Sequence, residues 1–270
     1  MKITPEQVAT DQPPRLAKRL GWTALALAIV AAILFGLVFG KASSARQSER
    51  QALLALTPRQ DKTKGYTSSA SCRACHPSQY DSWHKSFHRT MTQLAGTNSV
   101  MGRFDGTEIE SGGLLYRVYQ TNGQYWAEMP DPEIIMKAVM GGRRIDDHTY
   151  LIKTNGVLKH LDLTKVDRVD KRVVMTTGSH HYQTYWVEGS VRNTQTQTNE
   201  TKYGNVLQTL PLVYLPKEQQ WIPRDNAFMT APNSKRMISQ WNHHCIKCHS
   251  TAGNPGLVDS DGRFDTRVAE

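Results

Sequence analysis

The stretch Ser71-Cys72-Arg73-Ala74-Cys75-His76 constrains this chain more than any other. Two thiols one helical turn apart, followed at once by a histidine, form the C-x-x-C-H pattern of c-type haem attachment. The spacing has a chemical reason. Each thiol can add to one vinyl group of a haem, and the adjacent histidine then sits under the iron as axial ligand. The pattern recurs as Cys245-Ile246-Lys247-Cys248-His249, and the two copies use all 4 cysteines. The expectation is two covalent haems c, held by Cys72, Cys75, Cys245 and Cys248, with His76 and His249 on the metal. Paired C-x-x-C zinc sites usually lie about 15–20 residues apart, whereas these copies are separated by more than a hundred. Structural or zinc-binding cysteines are the alternative. With every cysteine assigned to haem, none remains for a disulfide, and haem and hydrophobic burial must hold the fold.

The formal charge of +9 on 270 residues looks basic. Each haem brings two propionates, however, and two haems would offset much of it. Lys and Arg are scattered, and no aromatic-interleaved basic stretch stands out, so no nucleic-acid partner is expected.

Residues 1–20 are polar, with Arg15, Lys18 and Arg19 just before an uncharged apolar run at 21–40. About 20 apolar residues suffice to cross a bilayer as a helix. A cleaved signal peptide carries an apolar region of only about 7–15. The match is to an uncleaved anchor, with cleavage at Ser43-Ser44-Ala45 as the alternative. Positive charge before the span places the N-terminus in the cytoplasm. The expected location is the bacterial inner membrane, single-pass, with the main domain in the periplasm. Ala24, Ala28, Ala32, Gly36 and Gly40 form a small-residue stripe that would let a second helix approach. Such residues are also common in membrane helices generally.

Residues 41–65 read as a charged linker, with Ala45 to Leu56 able to continue as helix until Thr57-Pro58. Residues 66–270 then form the haem-bearing domain. Pro77 suits the first turn of a helix, and Ser78 to His88 has helical composition, with Gly96 as a stop. On one continuous helix His88 would lie about 18 Å beyond His76 and point about 120° away. His88 would then bind a different haem. Trp83 would pack on the haem of His76, and His84 is the weaker ligand candidate.

From 113 to about 216 the pattern turns β-rich. Leu114 to Gln120 and Gln124 to Met129 flank Asn122-Gly123, and Tyr150 to Lys153 and Val157 to Leu161 flank Asn155-Gly156. Both are hairpin signals. Val173 to Thr176, His181 to Val187 and Val206 to Leu215 read as strands, and the polar run at 194–201 as an exposed loop. The fold class is α+β: an N-terminal transmembrane helix, then two haem-binding helical or loop segments flanking a β-rich middle.

Several stretches resemble a known family. CRACHPSQYDSWHKSFH resembles bacterial multihaem cytochromes c related to the nitrifier tetrahaem cytochrome and hydroxylamine oxidoreductase. GSHHYQTYWVEG, LPLVYLPKEQQWIPRD and QWNHHCIKCH resemble a subgroup of larger multihaem proteins, some with tetratricopeptide repeats. In these relatives a stretch like FDTRVAE leads almost at once into another C-x-x-C-H. The resemblance thus implies a chain cut before further haem motifs, or a natural two-haem form.

The family pattern makes His88 the first candidate for a distal ligand. His180 and His181 come next, because they open a strand and one of the two should face inward. His243 and His244 could reach the first haem. His148 and His160 lie in or beside a hairpin and read as ordinary. Met91, Met229 and Met237 are the rival distal ligands.

The abundance of histidines favours filled coordination, and hence electron transfer between redox partner proteins without a substrate site. The alternatives are a haem-dependent oxidoreductase acting on a small nitrogen or sulfur compound, as the resembled enzymes do, or a haem-bearing subunit of a larger respiratory complex.

Overall fold

The computed structural model describes residues 15–61, 65–189, 206–228, 239–256 and 265–269. The run at 194–201, Met229, Met237, most of the 1–20 tail and the stretch 257–264 lie outside them. The chain divides into two compact units, one up to Gln51 and one from Ala52 onward.

The first unit is helical. Helix α1, Arg15–Leu56, runs unbroken for 42 residues. From Ile29 its surface is long and apolar enough to cross a membrane, with mean hydropathy 1.5. Ile33, Leu34, Phe35, Leu37 and Val38 all face outward. Such a helix suits a membrane anchor or a signal sequence. The charged residues after Gly40 continue the same helix. It stops where the Thr57 N–H and hydroxyl both bond the Leu54 carbonyl, at 3.2 and 2.9 Å, with Pro58 following.

The second unit is β-rich. In chain order it carries β1 (Arg59–Gln60), α2 (Pro77–His84), α3 (Phe87–Thr90) and β2 (Thr92–Leu94). Then come β3 (Asp105–Ser111), β4 (Leu114–Thr121), β5 (Gln124–Pro130), α4 (Pro132–Gly141), β6 (Arg143–Arg144), β7 (Thr149–Thr154) and β8 (Val157–Asp162). The long strand β9 (Arg168–Gly178) is followed by β10 (Gln183–Gly189), β11 (Val206–Leu215) and β12 (Gln220–Pro223). The unit closes with α5 (Arg224–Ala227), α6 (Ile246–His249) and β13 (Arg267–Val268).

Both expected hairpins form. Asn122 and Gly123 take φ of 51° and 75°, and Asn155 and Gly156 take 50° and 79°. Two successive positive φ values make the primed turn that matches strand twist. They join β4 to β5 and β7 to β8. Helix α4 was not expected. Asp131 caps it by accepting the Glu133 N–H at 2.9 Å, Pro132 starts it, and Ile135, Ala138 and Val139 give it a buried stripe.

The main sheet runs β12-β11-β10-β9-β5-β4-β3, antiparallel throughout, with β2 pairing β9 beside β5. It curls until its edges meet. Ser111 Oγ donates to the Pro211 carbonyl at 3.4 Å, and Trp221 Nε1 donates to the Arg103 carbonyl at 2.8 Å. The enclosed core holds Tyr116, Val118, Val173, Val187, Leu210 and Leu212. Phe104 meets Tyr125, Tyr185 and Trp221 edge-on there. The other face of β9, β10 and β11 is also buried. Val174, Met175, Trp186 and Leu207 pack there with Leu53, Trp241, Ile246 and Val268. Strands covered on both faces need apolar residues at almost every position, which is why their sequences read as continuous apolar runs.

One exposed ion cluster gives a pH test. Glu128 lies 2.7 Å from Arg168 and 3.1 Å from Arg117, and these guanidinium groups hold its carboxyl below the ordinary value of 4.5. A depressed folded pKa contributes stability above the unfolded pKa and loses it as pH falls through the folded one. The partners are partly solvated, so the contribution is about 1 kcal/mol or less. Glu128→Gln should reduce the stability lost on acidification from pH 7 to about pH 3 by that amount, measured by denaturant unfolding at both pH values.

Candidate haem centres

The first motif begins in a single 3-10 turn, Ser69–Cys72, which Ser68 caps through the Ala70 N–H. The His76 N–H bonds the Cys72 carbonyl at 2.9 Å, and His76 in turn accepts the Tyr80 N–H at 3.0 Å. His76 is therefore the N-cap of α2, with Pro77 in the first turn. Cys72, Cys75 and His76 are all exposed. None of the three short helical pieces from Ser69 to Thr90 buries a residue, and Tyr66, Trp83 and Phe87 are 55%, 44% and 53% exposed. Large aromatics clustered in the open mark a surface meant to be covered. Exposed thiols one turn apart beside such a surface fit a covalently held, flat, apolar macrocycle.

The expected single helix from Ser78 to His88 is not what forms. Helix α2 ends at His84, and Ser86 starts α3 by accepting the Arg89 N–H at 3.4 Å while its hydroxyl donates to the Trp83 carbonyl at 2.7 Å. A serine that can bond both ways competes with helix continuation. The separation and direction expected for His88 on one helix therefore do not apply. The expected run to Gly96 is broken too, since residues 92–94 are strand β2. His84 stacks on Tyr80 at 3.9 Å, and its buried Nε2 has no partner among the described residues.

His180 and His181 correct a second expectation. Strand β10 starts at Gln183, so neither histidine lies in it. Both sit exposed in the turn between β9 and β10. Gly178 opens that turn at φ +117°, where a Cβ would come within 2.2 Å of the Tyr182 carbonyl oxygen. No other residue type fits there. The turn docks on the first motif's segment. The Gly178 N–H bonds the Met91 carbonyl at 2.8 Å, and the His180 ring lies 4.7 Å from Phe87 and 4.1 Å from His181. His180 and His181 thus lie against Phe87, and His88 is the next residue along α3.

The second motif is better buried. Gln240 bridges Gln208 on the outer edge of β11, and Thr209 N–H bonds the Ser239 carbonyl at 2.9 Å. Asn242, fully buried, accepts the Leu207 N–H at 2.9 Å and donates to Thr266 Oγ1 at 2.9 Å. A wide turn over Trp241–Cys245 follows, in which the Ile246 N–H reaches back to the Trp241 carbonyl. Such wide turns are frequent at functional sites. Helix α6 then carries Cys248 and His249, pinned by fully buried Ile246. Burial pushes the half-buried Cys245 thiol up and the His249 imidazole down. A lowered histidine is neutral near pH 7, the form that ligates metal. His243 and His244 are exposed, and His244 Nδ1 lies 3.2 Å from the Gln240 carbonyl oxygen. His160 is exposed on β8, and His148 lies 3.8 Å from Asp146.

Among the described residues no three His, Cys, Asp or Glu side chains converge. All 4 cysteines are described, and all are free thiols. The two Cys pairs therefore do not meet in one tetrahedral zinc site among the described residues. Cys245 and the β9–β10 turn share a neighbour that motif reading missed. The charge of Arg224 reaches both the Cys245 thiol and the Tyr182 phenol, and Phe228 contacts both Arg224 and Tyr182. An arginine after a Trp-Ile-Pro strand end carries no motif, so only packing could reveal it.

Residues 71–108 match the family model of cytochrome c554 and c-prime. The match covers the first C-x-x-C-H, α2, α3, β2 and the start of β3. No curated protein and no solved structure matches the chain. The family match supports a c-type cytochrome with covalently bound haem c and haem-based electron transfer.

Asn242 offers the cleanest stability test of the second segment. Asn242→Ala strands the buried Leu207 N–H and frees the segment from Thr266. It should cost about 1–3 kcal/mol, seen as a lower denaturation midpoint with an unchanged slope.

Proposed function

We propose that the protein is a membrane-anchored, periplasm-facing dihaem cytochrome c that passes single electrons between redox partner proteins. The span at 21–40 would anchor it in the inner membrane, and 66–270 would form the dihaem domain. One observation carries the reading. The first C-x-x-C-H segment docks on the turn from Gly178 to Tyr182, and the charge of Arg224 acts on both Tyr182 of that turn and Cys245 of the second segment. Two haems linked through one such neighbourhood would suit a relay.

The roles of the chain follow. Cys72, Cys75, Cys245 and Cys248 would hold haem through thioethers, each S–H adding across a vinyl group with sulfur on one carbon and hydrogen on the other. His76 and His249 would supply nitrogen to the iron next to their own cysteines, and His88, His180 and His181 are the candidates for its remaining ligands. Bound haem contributes one-electron chemistry at its iron. Iron held by histidine from both its own motif and these candidates would favour electron transfer over substrate binding. The small-residue stripe ending at Gly36 and Gly40 supports pairing of the anchor with another helix, since a Cβ at either glycine would meet open space.

Haem counting tests the stoichiometry. The wild type should carry two haems, and the paired changes Cys72→Ala/Cys75→Ala and Cys245→Ala/Cys248→Ala one each. Carbon monoxide tests the coordination. The reduced wild type should keep its spectrum, and His180→Ala/His181→Ala should open one iron to the gas. A rapid full shift in the wild type would overturn the relay in favour of open catalysis.

A further inference from the structure

We propose that Arg224 and Gln208 form a partly buried anion site that takes one small planar oxyanion of the carboxylate class. The site is a cavity of about 50 Å3 at the seam where the curled sheet closes. One water needs roughly 10–15 Å3, so three or four heavy atoms fit. Tyr116, Met129, Pro132 and Ile135 give it apolar walls, and Gln208 and Arg224 line the same space. Small concave sites of this kind, apolar with a few aimed polar groups, recur at the mouths of β-barrels.

The polar groups are unspent. Gln208 is 2% exposed, and neither its Oε1 nor its Nε2 finds a partner among the described residues. The buried Nε and Nη1 of Arg224 are equally without an acceptor there. Asp225 lines the same cavity and its carboxylate acts on Arg224 through space, but the two form no ion pair among the described residues, so the Nε and Nη1 donors stay open. Phe228 covers a face of the guanidinium at 4.6 Å, which leaves its N–H edges as the reactive part. Arginine cannot shed its charge, and guanidinium N–H donors turned away from water without an acceptor are costly even on a half-buried side chain. Burial already works against this one. A planar oxyanion accepting from the guanidinium edge and from the Gln208 amide N–H resolves both deficits. The Gln208 oxygen is left for a water. The apolar walls exclude a large or heavily hydrated ion.

Two sources offer this chemistry: a free small anion, or a propionate of a bound haem. The first is independent of the haem reading, and the second rests on it. Arg224 also reaches Cys245 electrostatically. A negative charge delivered to Arg224 should therefore lower the reduction potential of a haem held there.

The test titrates the full-length holoprotein with sodium acetate and, separately, sodium nitrite, by calorimetry at constant ionic strength. If the source is free, one anion binds per chain and the potential falls as it binds. Arg224→Gln then weakens binding roughly ten-fold or more, and Gln208→Leu weakens it less. Arg224→Lys, which keeps the charge, checks that loss is not misfolding. If the source is a propionate, acetate gives no heat in the wild type, and Arg224→Gln moves the pH dependence of the haem potential. Two results overturn the site. One is anion binding that survives both Arg224→Gln and Gln208→Leu. The other is no binding together with identical potential–pH curves for wild type and Arg224→Gln, which would leave the cavity to water.

Discussion

The body of the protein depends on one strand buried on both faces. Strand β9 pairs with β10 on one side and with β5 and then β2 on the other. A register shift against β10 lets Val174 and Met175, neighbours in sequence, serve the same face while Val173 serves the other. Bulges of this kind re-aim a side chain without ending a strand. The enclosed core and the outer core are therefore tied through one backbone. The outer core is where the second haem motif sits, through Trp241 and Ile246. The first motif is tied to the same strand through β2. Neither motif segment has a core of its own, so the sheet sets the position of both.

This explains which features were legible in the sequence. The hairpins were, because Asn-Gly dictates a primed turn whatever surrounds it. The C-x-x-C-H motifs were, because covalent chemistry dictates their spacing. Helix α4 was not read, although Asp131-Pro132-Glu133 and the Ile135, Ala138, Val139 spacing carry its signals, because the β-rich surroundings outweighed them. The break at Ser86 was not. It depends on a hydroxyl choosing backbone partners on both sides, and composition averages over that choice.

The histidines show the limit most clearly. His180 and His181 read as a strand opening because Tyr185-Trp186-Val187 follows them. Yet strand pairing ends at Gly178 and Gln183, and the intervening residues must turn. Only Gly178 can adopt the required φ in the space available, so the sheet, not the histidines, decides where they point. They end beside Phe87 because β2 docks α3 against the same turn. Proximity of this kind joins residues about ninety positions apart, and no local pattern encodes it.

Charge is distributed on the same principle. In a chain of net charge +9, Glu128 is met by two arginines. Arg224 differs, because its Nε and Nη1 are turned away from water at the seam of the sheet and take no acceptor among the described residues, although Asp225 lines the same space. The strand before it places it there: β12 pairs with Leu212 to Leu215 and stops at Pro223, so Arg224 is the first residue released from the ladder. Its backbone turns into α5 while its side chain stays at the seam. A cation so held acts on everything within reach of its field in a medium of low dielectric. Both Cys245 and the turn carrying His180 and His181 lie within that reach. Arg224 thus links the seam to the second motif through space, while its backbone belongs to the strand end that closes the sheet.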